Sequence, residues 1–147
     1  MRPAIVLSAA LLALALAFAP VADARDTRQH YDIAQAIAAG KANGTLDGSV
    51  AFYFKGAPAP AATRLGPATT NKKTNAFGKS DETACQWVFL GALKALQAAA
   101  KQRGANAVVD IESNYKNQPF SSATQYECGA GGLMAGVALK GAYAKVN

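Results

Sequence analysis

Histidine and tryptophan each occur once in this 147-residue sequence, and cysteine occurs twice. The single histidine, His30, sits in a polar stretch near the start, where it reads as part of a frayed segment. Ser/His/Asp and Cys/His mechanisms therefore lack a positioned base. Two cysteines and one histidine make a poor metal scaffold, and Met134 near Cys128 adds only one thioether. Acidic residues are few, 9 against 15 Lys and Arg, for a formal charge of +6. Paired carboxylates occur as Asp81/Glu82 and as Asp110/Glu112, the second pair two residues apart on one strand face. Solvated strand polarity accounts for Asp110 and Glu112, with a metal or cationic-ligand contact as the alternative.

Disorder is excluded by the apolar content. At 51% hydrophobic the chain can bury enough surface to offset the entropy lost on folding, and its length suits one domain. Much of the apolar excess lies at the start. Arg2 is followed by an uncharged stretch from Ala4 to Ala22, then Ala22-Asp23-Ala24. A lone early Arg, an apolar run and an A-x-A site form an export signal, cleaved before Arg25. The alternative is a retained anchor, since the run reaches about the lower limit for spanning a ~30 Å hydrocarbon layer. Pro20 and the small residues near the A-x-A site favour cleavage. No cysteine lies in or just after the segment, which excludes a cysteine-linked lipid there. The expected organisation is a signal at 1–24 and one exported domain at 25–147, periplasmic or secreted. Losing Arg2 and Asp23 leaves the net charge unchanged.

Along residues 25–147 the pattern predicts a short helix over 31–39 with Ile33 and Ile37 on one face, stopped by Gly40. Ser49–Phe54 reads as a strand after the turn dipeptides Asn43-Gly44 and Asp47-Gly48. Residues 61–80 read as a short edge strand followed by a polar, basic loop. Ser80-Asp81-Glu82-Thr83 supplies an N-cap and acidic first turn for a long helix over about 82–102. Cys85, Phe89, Ala92, Leu93, Leu96, Ala99 and Ala100 share its apolar face, Gln86, Lys94, Gln97 and Lys101 its polar one, and Gly104 closes it. Ala105–Ser113 alternates as a strand with Ala107, Val109 and Ile111 inward. Residues 117–132 read as loop and 133–146 as a final strand with Leu133, Val137, Leu139 and Tyr143 on one face. The fold class expected is α+β: a small, mostly antiparallel sheet covered by one long central helix, with a shorter N-terminal helix.

An oxidising compartment favours a Cys85–Cys128 disulfide over a free thiol pair or half of a metal site. The helix start and the loop after strand 105–113 fall at the same end of such a fold, which permits the bridge.

Gly78-Lys79-Ser80 before a helix matches the end of a phosphate-binding loop, G-x-x-x-x-G-K-[ST]. The first glycine of that pattern is replaced by Lys73, no apolar strand leads in, and Phe77 adds bulk where backbone must approach phosphate. A basic loop ending in an N-cap serine explains it, so neither nucleotide nor a DNA-repair ATPase role is expected. Arg64, Lys72, Lys73 and Lys79 cluster in this region as candidate contacts for an anionic partner. On an exported chain, anionic lipid headgroups, lipopolysaccharide or an acidic envelope protein fit better than nucleic acid. A merely solubilising surface is the other explanation.

Thr70–Phe77, Cys85-Gln86-Trp87, Gly104–Val109 and Tyr126–Gly131 together resemble a family of small exported bacterial proteins. Members often carry the label excinuclease ATPase subunit. The resemblance spans nearly all of 25–147 and implies export without a defined activity. The family commonly has E-C-H-A-G where this chain has Gly129 after Cys128, which weakens any metal reading. Gly104–Val109 and Gly141–Val146 are also similar, more distantly, to the YbjQ-like domains, described as heavy-metal-binding and ring-forming, and to the outer-membrane lipoprotein that senses stress for the Rcs phosphorelay. Those short matches imply a fold and no activity. The reading is thus an exported, non-enzymatic binding or envelope-associated module without a cofactor. The alternative is a metal-binding or metal-responsive protein using Cys85, Cys128 and Asp110/Glu112.

Overall fold

The computed structural model describes residues 25–147, so the expected export signal at 1–24 lies outside the described residues. In chain order the elements are β1 (Thr27–Asp32), α1 (Ile33–Ala42), β2 (Ala51–Phe54), β3 (Ala62–Asn75), α2 (Asp81–Gln102), β4 (Ala107–Ser113), a short turn of helix at Tyr115–Asn117, β5 (Gln125–Ala130) and β6 (Met134–Val146). Local chemistry sets the helix ends. Asp32 caps α1 by accepting the Gln35 N–H at 2.6 Å. Ser80 caps α2 by accepting the Thr83 N–H at 3.1 Å, with Asp81 and Glu82 in the positive first turn. Gly104, at φ 69°, turns the chain out of α2.

The class is α+β, and the sheet has six strands in the order β1-β5-β6-β4-β2 with β3 also on β6. β3 pairs along the whole of β6, from Ala62↔Val146 to Asn75↔Met134. β5 and β4 share the other edge in tandem, β5 at Ala135–Gly136 and β4 at Leu139–Ala144. Four of the five strand pairings among the described residues are antiparallel, but the sheet as a whole is not. The sheet is mixed, because β2 runs parallel to β4. The chain leaves β2, crosses to the far edge as β3 and returns through α2, the long crossover that a parallel pair requires. Periodicity marks strands and is silent about partner direction.

Three segments depart from the sequence reading. The start is not frayed, since Thr27–Asp32 pairs antiparallel with β5. Residues 62–75 form one continuous strand rather than a short strand and a loop. The stretch 117–132 contains β5, so Cys128 lies in a strand. These strands are polar and carry little apolar alternation, and pairing in the sheet decides their conformation.

The main core lies between the helices and one face of the sheet. Cys85, Phe89, Leu93 and Leu96 of α2 meet Val137, Leu139 and Tyr143 of β6, Val108 and Ile111 of β4, and Tyr126 of β5. Phe89 and Tyr126 stack at 3.8 Å between ring centroids, and each such ring contributes about 2–3 kcal/mol through burial. Leu90 buries against α1, where Gly40 admits it closely; a Cβ at Gly40 would lie 2.6 Å from Leu90 Cδ2. Gly40 is thus a packing position within α1 and not its stop. Gln97 is buried too, accepting the Asp47 N–H at 3.1 Å instead of facing solvent.

A bulge corrects the inward set on β4. Asp110 takes φ 52° and the register shifts between Val109 and Glu112, so Val108 and Ile111 face α2. Ala107 and Val109 turn to the opposite face, with Ala142 and Ala144. One inserted residue reverses the alternation on either side of it.

Cys85 of α2 and Cys128 of β5 are both fully buried and joined at an S–S distance of 2.07 Å. The bond closes a span of 43 residues and fixes the β1–β5 ribbon, which meets β6 through only the Gly129↔Gly136 and Ala130↔Ala135 pairs. Replacing both cysteines by alanine is expected to cost about 4 kcal/mol from loop closure, measured by urea unfolding. Hydrogen exchange should show protection lost first in β1 and β5.

Candidate functional site

The sheet face away from α2 carries most of the interacting charge. Along β1 the side chains alternate, with Tyr31 packing on the core and Arg28 and His30 on the opposite face. His30 stands opposite Glu127 in register and Arg28 opposite Gly129. Glu127 is 4% exposed. It accepts from Arg28 at 2.5 Å and lies 3.0 Å from His30 Nε2, while its own N–H donates to the Ser113 hydroxyl at 3.0 Å. Phe120 stacks on the imidazole at 4.2 Å. A carboxylate this deep is stable because two basic side chains answer it. The sequence reading missed this cluster; the alternation of Arg28, Gln29, His30 and Tyr31 was its only local signal.

Beside it, the Tyr115 ring lies on a floor of glycine. A Cβ at Gly129 would sit 2.1 Å from Tyr115 Cζ, and one at Gly136 would sit 3.1 Å from Cε2. The two glycines face each other across the β5–β6 pair. The absence of a side chain after Cys128 therefore makes room for an aromatic from a distant loop. The Tyr115 hydroxyl donates to Asp26 at 2.9 Å, and Arg28 lies 5.3 Å from the ring centroid. Lys116 bonds the same carboxylate and, ahead of Tyr115, holds Asp26 below its usual range against the opposing effect of burial. Burial first, then Asp26, pushes the Tyr115 hydroxyl up.

These residues border an open groove of about 620 Å³, lined by Arg25, Lys73, Lys116, Tyr115, Leu133 and Met134 over Gly129, Gly131 and Gly136. Arg25 also makes a two-point pair with Asp81 at 2.7 and 2.8 Å. Lys73 has no ion-pair partner among the described residues. Chemically, the groove offers the unpaired Lys73 ammonium next to apolar walls, with Arg25 engaged by Asp81 and Lys116 by Asp26, a carboxylate that also lines the groove.

The four basic residues singled out from sequence do not meet at one point. Arg64 pairs with Asp110. Lys72 and Lys73 oppose Val137 and Gly136 in register and so leave opposite faces of β3. Lys79 donates to the Asn75 carbonyl at 2.9 Å and lies 5.9 Å from the Trp87 ring centroid. Of the four, only Lys73 lines the groove. Gly78 and Lys79 form the turn before α2, and Ser80 is occupied as its cap.

Asp110 and Glu112 line a second hollow with Arg64, Lys55 and Lys140. Glu112 accepts from Ser121 and lies 3.4 Å from Lys140 and 3.8 Å from Lys55. Both sulfurs of the metal reading are in the disulfide, and Asp110 and Glu112 answer cations. Among the described residues no three His, Cys, Asp or Glu groups converge on a point suited to an ion. Among them also, no helix is long and apolar enough to cross a membrane. No protein-family model matches the chain, and no curated protein matches it.

Two measurements probe this face. Gly129→Ala should destabilise by about 1–3 kcal/mol through overpacking against Tyr115, and the cost should largely vanish in a Tyr115→Ala background when both are followed by urea melts. Glu112 is held below its ordinary value of 4.5, first by the Ser121 hydroxyl and then by Lys140 and Lys55, with burial opposing. A lowered carboxyl stabilises the fold fully above that ordinary value and progressively less as pH falls through the folded one. The urea-midpoint gap between the native protein and Glu112→Gln should be steady near neutrality and narrow below about pH 4.5.

Proposed function

We propose that this chain is an exported, non-enzymatic binding module of the bacterial envelope, periplasmic or secreted, that takes an anionic envelope component in the groove of Arg25, Lys73 and Lys116. The groove itself carries the reading: three basic side chains, of which Lys73 has no ion pair among the described residues, outnumber the one carboxylate, Asp26, at an apolar-walled hollow on the disulfide-fastened part of the sheet. The cleavable start, the sequence likeness to small exported bacterial proteins and the buried disulfide all support the same compartment. The hydroxyl nearest the His30–Glu127 pair among the bonds described, that of Ser113, is buried and accepts the Glu127 N–H, which favours binding over catalysis. Basic groups at a concave surface raise the local concentration of anions and lose that advantage in salt.

Two experiments test the reading. The protein recovered from the exported fraction should have the mass of residues 25–147 less two hydrogens; an uncut chain retained in the cytoplasm would overturn export. Titration with polyglutamate and with lipopolysaccharide should show salt-sensitive binding. The double change Lys73→Glu/Lys116→Glu should weaken it at least about tenfold, as expected for reversing two charges at a partly desolvated site. Binding unmoved by that change would remove the groove from the account.

A further inference from the structure

One end of the molecule combines exposed apolar side chains with basic residues. Phe77 is 71% exposed, Leu133 68% and Met134 49%. Among the described residues the remaining large apolar side chains so exposed are Leu65 and Trp87. Phe77 lies in the turn from β3 to α2, and Leu133 and Met134 lie where β5 turns into β6. The Ala76 N–H donates to the Leu133 carbonyl at 2.8 Å, and Asn75 pairs with Met134, so the two turns form one edge. The Asn75 side chain accepts the Phe77 N–H at 2.8 Å and fixes the first turn. Single exposed apolar residues are ordinary, while three gathered on two joined turns mark an interaction surface.

Charge frames this edge. Lys72 and Lys73 precede Phe77 on β3, and Lys79 follows it. None of the three makes an ion pair among the described residues. The nearby carboxylates Asp26 and Asp81 are answered by Lys116 and Arg25, and Glu82 of α2 is the remaining acidic group in the adjoining helical turn. Arg25, where the chain enters the described fold, lies at this same end, against Asp81 and beside Leu133. The apolar run Ile5–Phe18 comes shortly before it in sequence. On the exported reading above, that run is the signal, and in the sequence it leads to the end of the fold that carries Phe77 and Leu133.

We infer that this edge docks on an anionic lipid bilayer, with Phe77, Leu133 and Met134 entering the interface and Lys72, Lys73 and Lys79 meeting lipid phosphates. The inference rests on the exported reading above and names the membrane surface as the anionic partner. Small apolar protrusions give weak, reversible insertion, and neighbouring lysines add attraction to anionic headgroups that salt screens. Lysine stems can lie along the apolar boundary while their ammonium groups stay wet.

The test is sedimentation of the exported, oxidised protein with vesicles of equal parts phosphatidylglycerol and phosphatidylcholine, and with phosphatidylcholine alone. Binding is expected on the anionic vesicles, weakened by salt and weak on the neutral ones. Phe77→Ser/Leu133→Ser and, separately, Lys72→Gln/Lys73→Gln should each reduce the partition about tenfold. Both pairs are exposed, and an unchanged melting curve shows that the fold is intact; Leu133→Ser alone serves if the double variant is unstable. No binding to anionic vesicles would overturn the inference, as would binding indifferent to the serine changes. If polyglutamate still binds while vesicles do not, the docking edge falls and the groove reading stands.

Discussion

The thirteen residues of β6 carry a demand that shapes the rest of the molecule. One edge is filled by β3 along its whole length, and the other is divided between β5 and β4. β4 obtains five paired positions, whereas β5 obtains two. A ribbon held by so short a ladder has little hydrogen bonding of its own to resist local opening. The Cys85–Cys128 bond supplies the missing attachment from the opposite side, through α2 and the stacked pair Phe89–Tyr126. It is buried in the core at the point where the sheet is least continuous. Oxidation thus positions β1, the glycine floor and the groove above it.

The same short ladder explains why glycine lies at its centre. Gly129 and Gly136 oppose each other in the β5–β6 pair, and Tyr115 rests on both. That seat draws the 114–124 segment over the sheet, so that Phe120 reaches His30 and Glu127 is sealed from water. Any side chain after Cys128 would meet the Tyr115 ring as it lies. The residue pattern around Cys128 therefore bears on how the face is covered as much as on metal chemistry.

How much of this was legible depended on whether the signal was local. Ser80 with Asp81 and Glu82, Asp32, and Gly104 each act within a turn, and the sequence contains their full physical cause. The α+β class and the pairing of the two cysteines were also readable, one from alternation and helix periodicity and the other from count. The strands β1, β3 and β5 were not. Thr, Asn, Lys, Arg, Gln and Gly make up most of their residues, and only pairing with β6, or with each other, makes them extended. The bulge at Asp110 was equally hidden, since Val108 and Ile111 share a face only after an extra residue is inserted between them. At the site, Lys73 was found and the Glu127 cluster was missed, because its members are 97 and 99 residues apart in sequence.

Net charge gains a location from the fold. On the face away from α2 the carboxylates Asp26, Asp110, Glu112 and Glu127 each meet basic groups: Lys116, Arg64, Lys55 with Lys140, and Arg28 with His30. Much of the positive charge is thereby tied up in holding that face together, and surface pairs of this kind contribute about 0–1 kcal/mol each. What stays unmatched at the β3–α2 end is Lys72, Lys73 and Lys79, the lysines nearest the exposed Phe77. A uniformly solubilising charge would be spread over the surface. Lys41, Lys94 and Lys145 are also without an ion pair among the described residues and lie elsewhere, while Lys72, Lys73 and Lys79 share one edge with Phe77, Leu133 and Met134, the edge proposed above to meet an anionic bilayer.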